Sequence, residues 1–470
     1  MKVALVKAPG TYADWYRRPI LGLAYISSYL QANGYQCRIF DAYFHSWSEA
    51  ELIRRVREYG PDLIGLTAMT HEIHETARIA HQLKEVLRAP IVIGGCHATA
   101  LPQRTLTEFP DFDYAIYGEG ERAFLNLVRW VNGEGGVDPY SIQGLVYRDG
   151  DEIYVNARPD FLSSQELDQL PLPDLGDYYG DDPAALKPGE ACYVLVSSRG
   201  CPYNCAFCMQ VLGRQVRRRT PEKVIEEMER AIERWGAHTF DFYDEIVLYD
   251  SSQTRKLLNL MIEKGFPQRI KWCGATRADQ VEPDLMRLAK KAGCFRLGIG
   301  VESGDDQVLK TIGKRITVEQ VKRAVKIMKD VDIAVDAYFI LGHPGETEAS
   351  VKKTVDLATE LNTDTIAVGL MVPYPGTRIY EMALRGQAGY KLLSEDWSQY
   401  DKYGGKALEL EGLPYEDLVR WQRKALINLY LKNFRPLDLL RYAWKRRKAL
   451  AFFARRKLGI RVVTKEPFTG

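Results

Sequence analysis

Apolar runs and helical stretches alternate regularly over residues 1–135. The apolar runs predict five strands, at residues 3–6, 38–40, 63–66, 91–93 and 114–116. Between them, apolar residues recur at helical spacing and predict helices over residues 21–31, 49–58, 74–87 and 121–131. This alternation predicts a doubly wound, Rossmann-like α/β domain, with a parallel five-stranded sheet covered by helices on both faces.

The same alternation returns between residues 191 and 400. Six strands are predicted there, at residues 192–196, 240–243, 270–273, 296–301, 334–341 and 365–370. Helical stretches separate them, for instance residues 221–235 and 318–329. Six such units predict a partial (β/α)6 barrel of the TIM type, with its site at the carboxyl ends of the strands.

The segments between and after these domains have a different pattern. Residues 144–156 predict a β-hairpin, and a connector rich in Pro and Gly follows from Leu170 to about residue 190. From Tyr415 onwards the chain is predicted to be helical and basic. We therefore predict four segments: an α/β domain over 1–140, a hairpin and linker over 141–190, the partial barrel over 191–400 and a basic helical region over 401–470.

Charge is unevenly distributed along this chain of ordinary globular composition, which is 46% hydrophobic and 27% charged. The net charge is +2, but residues 418–470 carry +13 and residues 1–417 carry −11. No apolar segment approaches the ~20 residues of a membrane span. The first residues also lack the pattern of a secretory leader. We therefore predict a cytoplasmic protein with reduced thiols, which could still contact a membrane peripherally.

Three of the eight cysteines form a C-x3-C-x2-C run, at Cys201, Cys205 and Cys208. A structural zinc site needs four ligands, and no Cys or His occurs between residues 209 and 237. A four-iron cluster also takes four ligands, so three thiolates leave one metal position open. The other cysteines lie in apolar contexts and are predicted to be core residues: Cys37, Cys96, Cys192, Cys273 and Cys294.

This cysteine run, which follows an apolar strand and has Phe207 just before its third cysteine, resembles the signature of radical S-adenosylmethionine (SAM) enzymes. The resemblance implies that Cys201, Cys205 and Cys208 hold a [4Fe–4S] cluster. Its fourth iron would bind the amino and carboxylate groups of SAM, with Phe207 against the adenine. An electron from the cluster would cleave SAM to a 5′-deoxyadenosyl radical. The resemblance also implies an electron donor such as flavodoxin or ferredoxin.

Polar residues follow the predicted barrel strands, where the same resemblance implies SAM contacts. Asp244 and Glu245 end the second strand and could bind the methionine end of SAM, although this chain lacks the Gly-Gly-Glu that many members carry there. Arg277 could pair with the SAM carboxylate. Glu302 could accept the ribose hydroxyls or pair with the ammonium, and Ser303 lies beside it. Each of the charged residues among these could instead belong to a salt bridge at the barrel rim.

Two further polar residues stand beside glycine or proline turns at the predicted mouth of the barrel. These candidate catalytic residues are His343 and Tyr374. Either side chain could give or take a proton near a substrate. Either could equally be a packed part of the rim.

The loops after the strands of the first domain contain glycines and hydroxyl residues but no G-x-G-x-x-G after the first strand, which disfavours a dinucleotide site. The runs Pro19-Ile20-Leu21-Gly22-Leu23, Ile93-Gly94-Gly95-x-His97 and Gly118-Glu119-Gly120-Glu121 resemble the cobalamin-binding domain that precedes many radical SAM domains. A generic doubly wound domain with turn glycines is the alternative. The resemblance implies that cobalamin contacts Pro9, Gly10, Gly22, Asp41, Ala42, Thr67, Met69, Thr70, Gly94, Gly95, His97, Thr99, Tyr117, Gly118, Glu119 and Gly120.

One departure from that pattern concerns cobalt ligation. Cobalamin domains of the methionine synthase type carry D-x-H-x-x-G after the first strand, and its histidine binds cobalt from below. Here residues 10–15 contain no histidine, and His45 follows the second strand instead. We therefore predict His-off cobalamin, without a histidine ligand on the lower face. The run His71-Glu72-Ile73-His74 is one residue short of a zinc-binding H-E-x-x-H, and we predict a solvated helix start there.

Together the two resemblances imply a cobalamin-dependent radical SAM enzyme. The main hypothesis is a methyltransferase that moves a methyl group from SAM, through methylcobalamin, to an unactivated carbon. The alternative within this class is an oxidoreductase or cyclase that forms or contracts a ring without methyl transfer. An alternative of another class is a non-catalytic cobalamin-binding sensor, which would contain no iron. A methylthiotransferase is disfavoured, because the sequence shows neither extra N-terminal cluster cysteines nor a terminal RNA-binding β-domain.

The basic C-terminal region leaves its partner open. Aromatic residues and leucines interleave with cations there, as in Trp444-Lys445-Arg446-Arg447-Lys448. Such a segment suits an anionic membrane surface, could bind RNA phosphates, or could simply cap the barrel. Nucleic acid is the least expected of these partners. The substrate is predicted to be a small molecule or a lipid.

Overall fold

The computed structural model describes residues 1–10, 18–136, 138–181, 185–186, 192–402 and 404–445. Three predictions fall wholly or partly outside these residues: the histidine-free loop after the first strand, the end of the connector and the basic tail beyond residue 445. The described residues form two compact units. The first comprises residues 1–159, 173–178 and 430–445, and the second comprises residues 160–172 and 179–429.

The strands of the first unit are β1 (Lys2–Lys7), β2 (Gln36–Asp41), β3 (Leu63–Thr67), β4 (Ile91–Gly94), β5 (Tyr114–Ile116), β6 (Leu145–Asp149) and β7 (Glu152–Val155). Those of the second unit are β8 (Tyr193–Leu195), β9 (Ser198–Arg199), β10 (Arg217–Arg218), β11 (Thr239–Phe242), β12 (Lys271–Thr276), β13 (Cys294–Glu302), β14 (Ala334–Leu341), β15 (Thr365–Leu370), β16 (Tyr390–Leu392) and β17 (Leu408–Leu410).

The α-helices begin with α1 (Leu21–Ala32), α2 (Ala42–His45), α3 (Glu49–Tyr59), α4 (Ile73–Val86), α5 (Cys96–Ala100), α6 (Pro102–Glu108), α7 (Gly120–Val131), α8 (Ser164–Gln169) and α9 (Gly176–Tyr179). They continue with α10 (Pro221–Trp235), α11 (Ser252–Glu263), α12 (Pro283–Lys291), α13 (Asp306–Thr311), α14 (Val318–Asp330), α15 (Glu348–Leu361), α16 (Arg378–Leu384), α17 (Tyr415–Leu431) and α18 (Pro436–Lys445). No helix among the described residues is long and apolar enough to cross a membrane.

The first unit is built on a seven-stranded sheet with the order β2-β1-β3-β4-β5-β6-β7. The first five strands are parallel, which confirms the predicted α/β fold. The sheet is two strands wider than predicted, because the hairpin β6–β7 pairs antiparallel with β5 instead of lying in the linker. An open strand edge invites such pairing, since its backbone groups are otherwise unpaired.

The strand order of this sheet fixes where a ligand can bind. From β1 the chain passes to β2 on one side, and from β2 it crosses back to β3 on the other side of β1, so β1 and β3 flank a topological switch point. Sheets of this kind bind ligands outside the carboxyl ends of their strands at that point. Both strands are buried along almost their whole length, as expected for strands covered on both faces. The loops beyond residues 7 and 67 therefore lie where such a ligand would bind.

The second unit contains a six-stranded sheet with the order β15-β14-β13-β12-β11-β8. Every pairing within it is parallel, as predicted for this part of the chain. The helices between the strands begin at strong capping residues: the Thr317 side chain accepts the Gln320 N–H at the start of α14, and Thr347 does the same for Ser350 at α15. The carboxyl ends of all six strands meet at one edge.

Candidate functional site

The three predicted cluster cysteines lie on the loop that follows β9 in the second unit. The Cys201 N–H donates to the Gly213 carbonyl at 3.1 Å, and the Cys208 N–H donates to the Cys205 carbonyl at 3.2 Å. Cys208 is exposed and the other two are half-buried. All three thiols are free, so a single loop presents three available sulfur ligands.

Two glycines give this cysteine loop its path. Gly200 has a φ of +95°, and a Cβ there would lie 2.2 Å from the carbonyl oxygen of Gln215. Gly213 has a φ of +79°, and a Cβ there would lie 2.6 Å from the ring of Phe161. Both positions therefore combine a left-handed backbone with a close approach that excludes any side chain.

Arg277, which directly follows β12, holds the same loop. Its guanidinium carbon lies 3.4 Å from the ring centroid of Tyr203, which stands between the first two cysteines. Its Nε and Nη2 donate to Asp279 at 3.0 and 3.2 Å, and Nη2 also donates to the Lys314 carbonyl at 2.7 Å. The guanidinium that we predicted to meet the SAM carboxylate therefore already has protein partners, and its contact with SAM stays a prediction.

The thiols suit a cluster better than a single ion. Burial raises the pKa of Cys201, and a hydrogen bond from the Tyr203 backbone lowers it only in part, so a metal would have to stabilise the thiolate. Within the described residues, no three His, Cys, Asp or Glu side chains are placed to hold one metal ion together. A [4Fe–4S] cluster takes its thiolates on separate iron atoms, so its ligands stand farther apart than those of zinc. The three free thiols of this loop are ligands of the kind that such a cluster takes.

The two acids after β11 have different surroundings. Asp244 is buried and accepts the backbone N–H of Ser197 (2.9 Å) and the hydroxyls of Ser197 (2.7 Å) and Ser198 (2.6 Å). Burial raises the pKa of Asp244, against these hydrogen bonds. Glu245 is exposed, and its carboxylate raises the pKa of both Cys201 and Cys208. Of the pair, Glu245 is the one whose charge acts on the cysteines.

Glu302 ends β13 within a group of four side chains. It has a φ of +68° at a β-bulge, and its Oε1 lies 2.7 Å from Lys314 Nζ in a buried ion pair. The same Nζ lies 6.0 Å from the ring centroid of Phe207, and the Phe207 ring lies 6.2 Å from that of His343. Three residues predicted separately from the sequence therefore come together here, and Lys314 joins them.

His343 lies at the bottom of this group and is fully buried. Its Nε2 is 3.4 Å from the Glu302 carbonyl oxygen, and burial lowers its pKa to about 4. The imidazole is therefore neutral at physiological pH. The backbone N–H groups of Gly342 and His343 donate to Glu346 Oε2 at 2.6 and 3.1 Å. Glu346 is buried as well, which raises its pKa to about 7.

The other two candidates of the second unit are bound into turns. The Ser303 hydroxyl is fully buried, lies 3.2 Å from the Thr354 hydroxyl and accepts the Asp305 N–H at 3.2 Å. Tyr374 is half-buried, and its carbonyl accepts the Thr377 hydroxyl at 2.6 Å. The structure gives both residues a structural role, and their functional roles stay predictions.

One face of the second sheet is open at its centre. β14 is flanked by strands on both sides, yet Tyr338 at its midpoint is 41% exposed. Its ring lies over Gly298 of β13, where a Cβ would lie 2.7 Å from the ring. Parallel strands are normally buried on both faces. Tyr338 is therefore only partly covered on this face of the sheet.

The switch point of the first unit contains a buried charge network. Lys7, at the end of β1, lies 2.6 Å from Glu72, which also accepts the Met69 N–H at 2.9 Å. Asp41 ends β2, is buried, and accepts the Phe44 N–H at 2.8 Å. Burial raises the pKa of Asp41 to about 6. Helix α4 starts directly after Glu72, as predicted. The Glu72 side chain, however, pairs with Lys7 instead of being solvated.

Three of the predicted cobalamin residues are glycines with different surroundings at the Cβ position. A Cβ on Gly22 would meet no atom within 4 Å, and one on Gly94 would meet nothing closer than 3.8 Å. Gly22 also costs α1 about 1 kcal/mol relative to Ala, and no packing contact of that Cβ position requires glycine. Gly95 differs, since its φ of +93° and the nearby Thr67 hydroxyl demand glycine. The Cβ position of Gly22 is open and that of Gly94 is in ordinary van der Waals contact, so the contacts of both residues with cobalamin stay predictions.

Several other predicted cobalamin residues are engaged within the unit. The Thr99 hydroxyl accepts the Gly118 N–H at 3.2 Å, and the Tyr117 hydroxyl donates to the Asn156 carbonyl at 2.6 Å. His97 is fully buried, and burial lowers its pKa to about 4, so it is placed as a neutral core residue. Tyr43 and Ile26 pack on Gly10 and Gly120. The remaining candidates lie at or just after the carboxyl ends of the strands: Pro9, Ala42, Thr67, Thr70 and Glu119.

The sequence analysis missed two residues of the group around Glu302 and His343 in the second unit. Lys314 follows a glycine in a short loop, and Glu346 follows a Pro-Gly turn. Nothing in those patterns distinguishes them from solvated charges, because their environment depends on burial. The Gly342-His343-Pro344-Gly345 turn next to Glu346 was the one available signal.

Comparisons with known proteins agree with this arrangement. Residues 195–358 match the family model of the radical SAM superfamily, and residues 16–128 match that of the B12 binding domain. An uncharacterised methyltransferase of Pyrococcus horikoshii is 30% identical over 423 residues, which cover 88% of each chain. An anaerobic magnesium-protoporphyrin IX monomethyl ester cyclase of Cereibacter sphaeroides is 28% identical over 91% of this chain and 69% of its own length.

A solved structure shares the fold over most of the chain. It is that of the radical S-adenosylmethionine methyltransferase TsrM from Kitasatospora setae, with cobalamin and a [4Fe–4S] cluster bound. The TM-score is 0.72 at 18% identity, and the match covers 90% of each chain. The likeness is one of fold, and it includes both α/β units.

Proposed function

Because this chain belongs to the cobalamin-binding radical SAM enzymes, we propose that it moves a methyl group from SAM, through cobalamin, to an unactivated carbon of a small molecule. The observation that carries the proposal is the free cysteine triad on one loop, in a chain that is 30% identical along 88% of its length to a methyltransferase. A sensor without iron would have no use for three accessible thiols. It is therefore disfavoured.

Three cofactors are proposed, each with its own set of residues. Bound together, the [4Fe–4S] cluster, SAM and cobalamin supply an adenosyl radical and a transferable methyl group. Cys201, Cys205 and Cys208 would hold the cluster, and the loops around Gly22 and Gly94 would hold cobalamin. The three free thiols and the open Cβ position of Gly22 support this assignment.

The group around Glu302 is proposed to hold SAM. The Glu302–Lys314 pair offers a carboxylate that accepts hydroxyl protons and an ammonium that binds a carboxylate, and both are already desolvated. Phe207 offers a flat apolar surface beside them. The charge of Glu245 acts on the cysteines, and this residue is proposed to bind the amino group of SAM. Arg277 and Asp244 are proposed mainly to position the cysteine loop, through Tyr203 and Ser197.

His-off binding of cobalamin is part of the proposal. His97 is the histidine predicted to contact cobalamin at the carboxyl edge of the first sheet. Its side chain lies in the core. Low-temperature EPR of the Co(II) form of the purified holoenzyme tests this. We expect a signal without nitrogen superhyperfine splitting, and a split signal would show that a histidine ligates the cobalt.

Two partners complete the proposal. A one-electron donor such as flavodoxin or ferredoxin would reduce the cluster. The chain would also contact a membrane surface peripherally through its C-terminal region, whose basic character is evident in the sequence.

Anaerobic reconstitution with iron and sulfide, followed by SAM turnover, tests the enzyme class. We expect about four irons per chain, together with 5′-deoxyadenosine and S-adenosylhomocysteine. Cys205→Ala should lose the cluster and both products. Cys192→Ala, which removes a half-buried thiol outside the loop, should retain them. Iron bound equally well by the Cys205 variant would contradict the cluster assignment.

The second candidate function is ring formation without methyl transfer, favoured by the 28% identity to a cyclase. Formation of 5′-deoxyadenosine without S-adenosylhomocysteine would support it against methyl transfer. Mass spectrometry of metabolites from a deletion strain identifies the product. If the protein is a methyltransferase, the deletion strain should accumulate the substrate and lack a species that is one CH2 unit heavier.

A further inference from the structure

Three consecutive arginines follow the cysteine loop, and the two outer ones have buried partners. Arg217 Nη1 donates to the Leu162 carbonyl oxygen at 2.8 Å. Arg219 Nη1 lies 2.5 Å from Glu227 Oε2 in an ion pair whose side chains are both buried. Hydrogen bonds of this kind hold the chain in place where it returns from the cysteine loop, so these two arginines serve the fold.

The middle arginine, Arg218, has different surroundings. Successive side chains of a strand point to opposite faces, so Arg218 lies on the other face of β10 from Arg217. It is half-buried, and its Nη2 is buried without a hydrogen-bond partner among the described residues. No described carboxylate forms an ion pair with it. A buried donor without a partner is costly and uncommon in native proteins, so its presence requires an explanation.

The groups around Arg218 leave its charge uncompensated. Its guanidinium carbon lies 5.5 Å from the ring centroid of Tyr249. Burial lowers the pKa of Arg218, although the nearby charge of Asp244 raises it, and an arginine stays charged in proteins. The oxygens of Asp244 accept hydrogen bonds from Ser197 and Ser198 at 2.6–2.9 Å. The nearest acid is therefore engaged by serines, and the guanidinium can still bind an anion.

The position of Arg218 in the second unit is that of a ligand-binding residue. β10 pairs with β9, where Arg218 lies opposite Ser198, and β9 follows the end of β8. Tyr249 lies on the loop that follows β11, the strand next to β8. Both side chains therefore lie beyond the carboxyl ends of neighbouring parallel strands. In barrels of the TIM type, that edge is where substrates bind.

We propose that Arg218, with the Tyr249 ring beside it, binds a carboxylate or phosphate group of the substrate. A guanidinium presents a planar fork of N–H donors that matches both kinds of oxyanion. The inference rests on the proposed function and narrows its small-molecule substrate to an anionic one. SAM also carries a carboxylate, but Lys314 already offers that group an ammonium, which leaves Arg218 for the substrate.

Equilibrium dialysis of the reconstituted holoenzyme tests the proposal, with inorganic phosphate and acetate as separate labelled probes, each with and without SAM. We expect saturable binding of at least one probe that SAM does not displace. Arg218→Met should weaken it about tenfold or more, because a hydrogen bond to a charged group contributes that much. Arg218→Lys keeps the charge without the fork and should lose less. Arg323→Met removes an exposed arginine that pairs with Glu282 at 3.0 Å and should change nothing.

Two further readouts separate this role from a structural one and from SAM binding. Arg218→Met removes a partly buried charge without an ion-pair partner, so the free energy of unfolding should not fall. A fall in stability with unchanged anion binding would overturn the proposal, as would a wild-type protein that binds neither probe. The affinity for SAM and the formation of 5′-deoxyadenosine without substrate should match the wild type. Weaker SAM binding in Arg218→Met, or release of the probe by SAM, would assign Arg218 to the SAM carboxylate and overturn it too.

Failure of the proposed function has a different signature. Anion binding that depends on Arg218, in a holoenzyme that forms no 5′-deoxyadenosine, would contradict the enzymatic proposal and leave the anion site intact. Formation of 5′-deoxyadenosine without any anion binding would contradict this inference alone.

Discussion

Lys314 Nζ lies 2.7 Å from Glu302 Oε1, and both side chains are more than nine-tenths buried. Burying an ion pair costs desolvation that the attraction between the charges offsets only partly. A buried pair at the end of a strand is therefore poor evidence for stability and better evidence for a ligand site. Its two charges are already held in place, so SAM would meet them without further reorganisation.

Removing one partner of this pair should be costly. Lys314→Met leaves Glu302 as an uncompensated buried carboxylate, and we expect the free energy of unfolding to fall by about 3–5 kcal/mol in urea titrations. Lys326→Met breaks an exposed pair with Asp330 at 2.6 Å and should change it little. The double variant with Glu302→Gln and Lys314→Met should regain most of the stability and still fail to bind SAM. Wild-type SAM affinity in that double variant would show that the pair is purely structural.

The element pattern was predictable because it depends on local periodicity. β14 and β15 begin and end at the predicted residues, and the parallel order of both sheets follows from alternating strands and helices. The hairpin β6–β7 was predicted as a hairpin, but its pairing with β5 was not. Which edge a hairpin covers depends on contacts distant in sequence, and local pattern does not encode them.

The roles of the site residues were less predictable, because they also depend on contacts distant in sequence. Arg277 and Asp244 were identified as polar residues at strand ends, yet their partners Tyr203 and Ser197 depend on how the cysteine loop folds back. Lys314 gave no sequence signal, since a lysine acquires a special role only when burial desolvates it. His343 was identified by its turn, and folding supplied its neutral state.

The cysteine loop provides a test of backbone geometry. Gly200→Ala introduces a Cβ 2.2 Å from the Gln215 carbonyl at a φ of +95°, so we expect the loop to shift and iron content after reconstitution to fall severalfold. Gly60→Ala has a similar positive φ, +65°, but no atom within 4 Å. It should lower stability by only about 1 kcal/mol and leave iron content unchanged. Equal iron content in the two variants would mean that the Gly200 contact does not shape the cluster site.

Glu346 should make stability depend on pH. Burial raises its pKa from 4.5 to about 7, and the neighbouring Asp305 acts in the same direction. Between these values the native state holds a proton that the unfolded chain has lost, so stability falls as pH rises from 4.5 to 7. Glu346→Gln keeps an acceptor for the Gly342 N–H and removes this loss. Between pH 4.5 and pH 7, the free energy of unfolding of the variant should therefore rise by about 3 kcal/mol relative to that of the wild type. Urea titrations across this range measure the difference, and a constant difference would contradict the prediction.

His343 should produce the opposite slope. Burial lowers its pKa from 6.5 to about 4, mainly by desolvation, although the nearby Glu302 raises it. Below pH 6.5 the unfolded chain therefore binds a proton that the native state refuses, and stability falls as pH drops towards 4. His343→Asn should cost stability at every pH through lost packing, but its unfolding free energy should fall about 3 kcal/mol less than that of the wild type across this interval. His97→Asn, at the other buried histidine whose pKa is about 4, should lose a similar slope without affecting SAM binding. A His343 variant with the full wild-type slope would show that this imidazole is charged in the native protein.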